Sequence, residues 1–166
     1  GVDANEVSSP AHKKSRAEVT LPHATLFATA LLSSFANTRD LWIFDSGCSQ
    51  HMTPNRSDFT ALDYSRTRLI NGIDPDRPLK ASATGIASIS FRSQSNQHAL
   101  FQLQDTLYCP NLAARLFSVR AALESGCKVT LHEPDQHSVV GFLELPNKQK
   151  IQIAIRHKLL TLSPMS

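Results

Sequence analysis

From Leu41 onward the chain is built of short runs in which apolar and polar residues take turns. Ala87, Ile89 and Phe91 alternate with Ser88, Ser90 and Arg92, the period-two pattern of a strand with one buried face. After a polar tip, Ser93 to His98, Phe101 and Leu103 alternate with Gln102 and Gln104, which predicts the returning strand of a hairpin. Cys127, Val129 and Leu131 repeat the pattern, as do Ile151, Ile153 and Ile155. Leu41-Trp42-Ile43-Phe44 is unbroken instead, and an apolar run that short predicts a buried strand. Thr67 to Ile70 predicts a further strand, and the Asn71-Gly72 and Asp74-Pro75-Asp76-Arg77-Pro78 that follow predict a projecting loop. Only Val119 to Ser125 reads as helix, with Ser118 as its N-cap and Gly126 as the residue that ends it. The class is mainly β with one short helix near residues 119–125. Closure into a small β-barrel would remove the edges that so many short strands leave open, and a small closed barrel is the expected architecture.

Outside that pattern the chain divides simply. Residues 1–22 are polar, mixed in charge and aperiodic, and read as a flexible linker or tail. Residues 23–40 form an apolar lead-in, and residues 163–166 a short tail. The basic His12 to Arg16, the apolar Ala24 to Leu32 and the small Ser33, Ser34 and Ala36 follow the order of a secretory signal. Glu18, Pro22 and His23 interrupt it, so the apolar stretch reads as a segment that packs on the domain or a partner, and secretion is disfavoured. The 166 residues, 41% of them hydrophobic, suffice for one domain with a sizeable core. A net charge of +3 is too small and too dispersed to indicate nucleic-acid binding, and no apolar run approaches the ~20 residues needed to cross a membrane as a helix. The three cysteines, Cys48, Cys109 and Cys127, are too few for a disulfide framework, so free thiols in a reducing compartment are expected.

Candidate chemistry concentrates at Asp45-Ser46-Gly47, directly after the apolar run. A carboxylate at the end of a buried strand, with a small hydroxyl beside it and a glycine that permits a tight turn, is the layout an aspartic peptidase needs. On three residues alone an ordinary turn outranks catalysis. Cys48 and His51 have the C-x-x-H spacing of zinc ligands, but Cys127 and His132 do not continue it, and no metal or other cofactor is expected. Beyond the presence of both residue types, nothing favours a cysteine peptidase built on Cys48. His98, His132, His137 and His157 lie among polar neighbours, and Lys148, Lys150, Arg156 and Lys158 read as a solvated strand face.

The surroundings change the weight of the tripeptide. Trp42-Ile43-Phe44-Asp45-Ser46-Gly47-Cys48-Ser49-Gln50-His51-Met52-Thr53, with Phe59 shortly after, resembles the signature of copia-type LTR-retrotransposon proteases. Leu107-Tyr108-Cys109-Pro110-Asn111-Leu112-Ala113-Ala114-Arg115-Leu116-Phe117-Ser118-Val119 resembles the second block of the same family, and Gly126, Val129 and Lys158 to Leu162 follow in order. The resemblance covers residues 41–162. It implies a retropepsin-like β-barrel within a Gag-Pol polyprotein, Asp45 as the catalytic aspartate with Ser46 and Gly47 completing its loop, a substrate-covering flap near Ile70 to Ala83, and Leu116-Phe117-Ser118 passing beneath the active-site loop. Cys48, Cys109, Arg115 and Phe117 stand where the family usually has Ala, Val, Asn and Leu; none removes a catalytic atom. Asp-Ser-Gly occurs once, and Asp105-Thr106-Leu107 lacks the glycine, so a pair of carboxylates requires a homodimer. The implied substrate is the chain's own polyprotein, the implied setting cytoplasmic within a virus-like particle, with no membrane and with nucleic acid met only through the parent polyprotein. The other reading is a non-catalytic or host-adopted β-barrel module, serving as a polyprotein spacer or binding domain.

Overall fold

The computed structural model describes residues 41–70, 76, 78–93, 95–133, 139–156 and 159–162. The linker 1–22, the lead-in 23–40, the tail 163–166 and most of the tip between Ile70 and Pro78 lie outside the described residues. Twelve strands are found among them: β1 (Trp42–Asp45), β2 (Met52–Thr53), β3 (Phe59–Asp63), β4 (Arg68–Ile70), β5 (Leu79–Ala81), β6 (Ala83–Arg92), β7 (His98–Tyr108), β8 (Arg115–Ser118), β9 (Lys128–Leu131), β10 (Val139–Glu144), β11 (Lys150–Arg156) and β12 (Leu159–Leu162). A single 3₁₀ turn spans Arg56–Asp58, and the helix α1 spans Val119–Glu124.

Ten strands form one sheet in the order β3-β6-β7-β2-β8-β1-β12-β11-β10-β9, and β4 pairs with β5 in a separate two-stranded hairpin. The expected hydrogen-bonded closure is not found: among the described residues the end strands β3 and β9 do not pair with each other. Packing takes the place of closure. Ala87, Ile89 and Phe91 of β6 and Leu103 of β7 share one core with Val140 and Leu143 of β10, Ile151 and Ile153 of β11 and Leu162 of β12, so side chains from both halves of the sheet meet without their edges joining. The end strands limit the exposed edges by being short and by carrying Asp63 and Lys128.

β1 lies at the centre, parallel to β8 and antiparallel to β12. Its two faces serve two cores: Trp42 enters the large one and Ile43 a smaller one built with Cys48, Met52, Ala81, Leu107 and Leu116. That double burial is why the run shows no alternation. Ile70 and Leu79 of the β4–β5 hairpin pack on the smaller core, which puts the hairpin on the Ile43 side of β1. The helix ends as its sequence predicts. Ser118 accepts the Ala121 N–H at 3.0 Å, Gly126 takes φ +93°, and the N–H groups of Gly126 and Cys127 return to the carbonyls of Leu123 and Ala122 at 3.1 and 3.0 Å.

Candidate functional site

Asp45 is the last residue of β1 and, by strand alternation, faces the side that carries Ile43. It is only 4% exposed. Its Oδ1 accepts the Gly47 N–H at 2.7 Å, an Asx-type turn that orients the carboxylate. Its Oδ2 is buried and has no hydrogen-bond partner, the one such side-chain atom among the described residues. A buried carboxylate oxygen without a donor costs free energy, so this position calls for a donor that the described residues do not supply to Oδ2. Ser46 and Gly47 are exposed beside it, and Ser46 does not cap the carboxylate in any contact shown. The sequence-predicted trio is therefore one turn with one buried member.

Three elements hold this turn. Asp45 is in register with Ser118 of the parallel neighbour β8, so Leu116-Phe117-Ser118 runs alongside β1 in the same sheet. The Ser118 hydroxyl donates to the Cys48 carbonyl at 2.7 Å, and its backbone N–H donates to His51 Nδ1 at 2.9 Å. The His51 ring packs on Phe117 at 4.7 Å, and Phe117 stacks on Phe44, the residue before Asp45, at 5.8 Å. Burial pushes His51 down from 6.5 to about 4, so it is the neutral imidazole that accepts this bond. Sequence reading placed His51 in the signature and gave it no task.

The cysteines are free and buried. Burial first, and the nearby Asp45 carboxylate second, push the Cys48 thiol far above its ordinary value; burial pushes Cys109 up to about 12 and raises Cys127 as well. A thiol so held stays protonated at neutral pH, which disfavours its use as a nucleophile. The structure does not gather Cys48, His51, Cys127 and His132: no group of three or more His, Cys, Asp or Glu side chains among the described residues is placed to share a metal ion.

The departures from the signature are built into the packing. Phe117 is fully buried, and Cys109 fills part of the smaller core. Arg115 pairs with Asp58 through Nε at 2.7 Å and Nη2 at 2.8 Å, Asp58 also accepts the Thr53 hydroxyl, and the guanidinium lies over Trp42 at 5.7 Å. Asp105, the second aspartate weighed above, sits at a β-bulge with φ +48°, its side chain 67% exposed and paired with Arg66. It is not a second buried carboxylate for Asp45.

A cleft of about 500 Å³ opens beside the same loop, between β7 and α1, with Ser49, Gln50, His51, Gln102, Gln104 and Glu124 among its walls; Asp45 does not line it.

Residues 42–127 match the family model described as Pol polyprotein, beta-barrel domain, just over half of the chain and the part that contains the whole site. A putative transposon Ty5-1 protein of Saccharomyces cerevisiae is 34% identical over 80 residues, which are 47% of this chain and 47% of that protein. The aligned region thus spans about half the length of this curated relative. No solved structure matches the chain.

Proposed function

The chain belongs to the Pol polyprotein β-barrel domain family, and from that membership we propose that it is an aspartic endopeptidase of a copia-type retrotransposon polyprotein, acting as a homodimer within its own Gag-Pol chain. One observation carries the reading: Asp45 ends a central strand with its Oδ2 buried and without a donor. A second Asp45 across a two-fold axis would supply the missing partner. Two carboxylates that face each other share one proton; the ionised one activates a water molecule for attack on the scissile carbonyl, and the protonated one donates toward the carbonyl oxygen. The β4–β5 hairpin supports the same reading, because it packs on the smaller core on the side of β1 toward which Asp45 projects. Ser46 and Gly47 shape the turn, and no metal or cofactor enters the chemistry. The setting we propose is the cytoplasmic particle in which such a polyprotein matures.

A second reading is favoured by a different observation: the cleft beside the loop is not lined by Asp45, whose own surface is almost wholly covered. On that reading the chain is a non-catalytic or host-adopted module that binds or spaces.

Asp45→Asn separates the two. The substitution keeps the shape and removes the ionisable group, so the variant chain is expected to fold, to associate as the wild type does, and to leave every junction of the parent polyprotein uncut. Cleavage at the wild-type rate by the variant would overturn the protease reading. A folded, associating wild type that cuts no junction would leave the binding module as the better account.

A further inference from the structure

We propose that His51 is a positioning residue for Asp45: by accepting the Ser118 N–H it fixes the turn that carries the carboxylate. This deepens the reading of Asp45 as the reacting group and rests on it.

Ser118 is where β8 stops and α1 begins. As the N-cap, its backbone N–H has no partner inside the helix. On the other flank β2 reaches β8 only at the Met52–Leu116 pair, so β2 does not pair with Ser118. Ser118 is fully buried, and without an acceptor its N–H would be orphaned. His51 Nδ1 fills that need at 2.9 Å, from a side chain that is itself 4% exposed.

The consequence passes to Asp45 by two short routes. Through hydrogen bonds, Ser118 is tied by its hydroxyl to the Cys48 carbonyl at 2.7 Å, which closes the turn whose other end is the Gly47 N–H on Asp45 Oδ1. Through packing, the His51 ring lies on Phe117, and Phe117 stacks on Phe44, adjacent to Asp45 in β1. His51 itself is anchored from behind, because its carbonyl accepts the Leu107 N–H at 2.9 Å. His51 therefore joins β7 through its backbone, and β8, the start of α1 and the Asp45 turn through its ring. Catalysis by paired carboxylates tolerates little displacement, since a reacting group moved by about 1 Å loses on the order of 100-fold in rate.

The acceptor's place on the side chain gives a discriminating test. Nδ1 of histidine stands two bonds from Cβ, as Oδ1 of asparagine does, whereas Oε1 of glutamine stands three bonds away. His51→Asn keeps an acceptor where Ser118 needs it; His51→Gln and His51→Leu do not. The full chain is assayed in two ways: amide hydrogen exchange at Ser118 and Gly47, and cleavage of a peptide that spans a polyprotein junction. For His51→Gln and His51→Leu, exchange at both amides is expected to rise by about tenfold or more. Their kcat should fall on the order of 100-fold while KM stays within about two-fold. His51→Asn should return both quantities to within about three-fold of wild type. Unchanged exchange and kcat in folded His51→Gln would overturn the proposal, and so would a folded His51→Asn that behaves like His51→Gln. If the wild type cleaves nothing, the protease reading fails by itself, and exchange at Ser118 and Gly47 still decides whether His51 holds the turn.

Discussion

An imidazole nitrogen accepts a backbone N–H only while it carries no proton, so the bond between Ser118 and His51 has a direction in pH. Burial lowers His51 in the folded chain to about 4, against 6.5 when it is exposed. The unfolded chain therefore takes up the proton first as pH falls. The contribution of this group is fully present above 6.5, declines between 6.5 and about 4, and levels off below, where both states are protonated. The whole span is worth at most about 3 kcal/mol. His51→Asn removes the titration and keeps the acceptor, so the stability difference between wild type and variant should change by up to that amount, in favour of the variant, between pH 7 and pH 4. Denaturant unfolding at each pH measures it, and carboxylates that titrate in the same window cancel in the difference. A difference that is flat across the window would mean that His51 is not held as a buried neutral acceptor.

At the scale of elements, two glycines set how closely strands approach. A Cβ on Gly85 of β6 would lie 2.0 Å from the Ala61 carbonyl oxygen of β3, and a Cβ on Gly141 of β10 would lie 1.9 Å from that of Thr130 in β9. Both contacts are with backbone, which cannot rotate away; the β3–β6 pairing has a register irregularity close by, and β10 has one at Gly141 on its other side, toward β11. Gly85→Ala and Gly141→Ala should each cost about 2 kcal/mol or more by forcing an end strand outward, measured as a lower denaturation midpoint. Neutral variants would show that the end strands shift freely. The same elements explain what could be read in advance. β6 and β7 were legible because one face is more buried than the other, which prints alternation into Ala87 to Arg92; in β11 the alternation of Ile151, Ile153 and Ile155 is legible although Ala154 between them is buried as well. β10 was not, because Val139-Val140-Gly141-Phe142 packs residues of both faces and contains a bulge. Leu131 follows the alternation expected of it and yet is 51% exposed, since β9 is the last strand and its end runs past the core. Asp45 was legible as a strand-ending carboxylate. The work of His51 was not, because its partner Ser118 is 67 residues away and is brought near by the pairing of β2 with β8 at Met52 and Leu116.

For the whole molecule, the proposed reading makes the chain one half of a symmetric arrangement. Asp-Ser-Gly occurs once in 166 residues, Asp45 Oδ2 has no donor among the described residues, and Asp105 is turned to solvent against Arg66. If the reacting unit is a pair of Asp45 side chains, cleavage belongs to the dimer and not to the chain. Specific activity should then rise with protein concentration and reach a plateau once association is complete. Mixing makes the distinction sharper. Equal amounts of wild type and Asp45→Asn, exchanging freely at fixed total concentration, should leave about one quarter of dimers with two aspartates under random pairing. Chains that act singly would instead retain about one half of the wild-type rate, because only the inert fraction is lost. Neither chelators nor thiol reagents should alter the ratio, since the proposed chemistry uses no metal and Cys48 is buried with its thiol protonated. A value near one half, or specific activity independent of concentration, would place both carboxylates of the reaction within one chain. It would then require a second acid other than the exposed Asp105 to complete the pair.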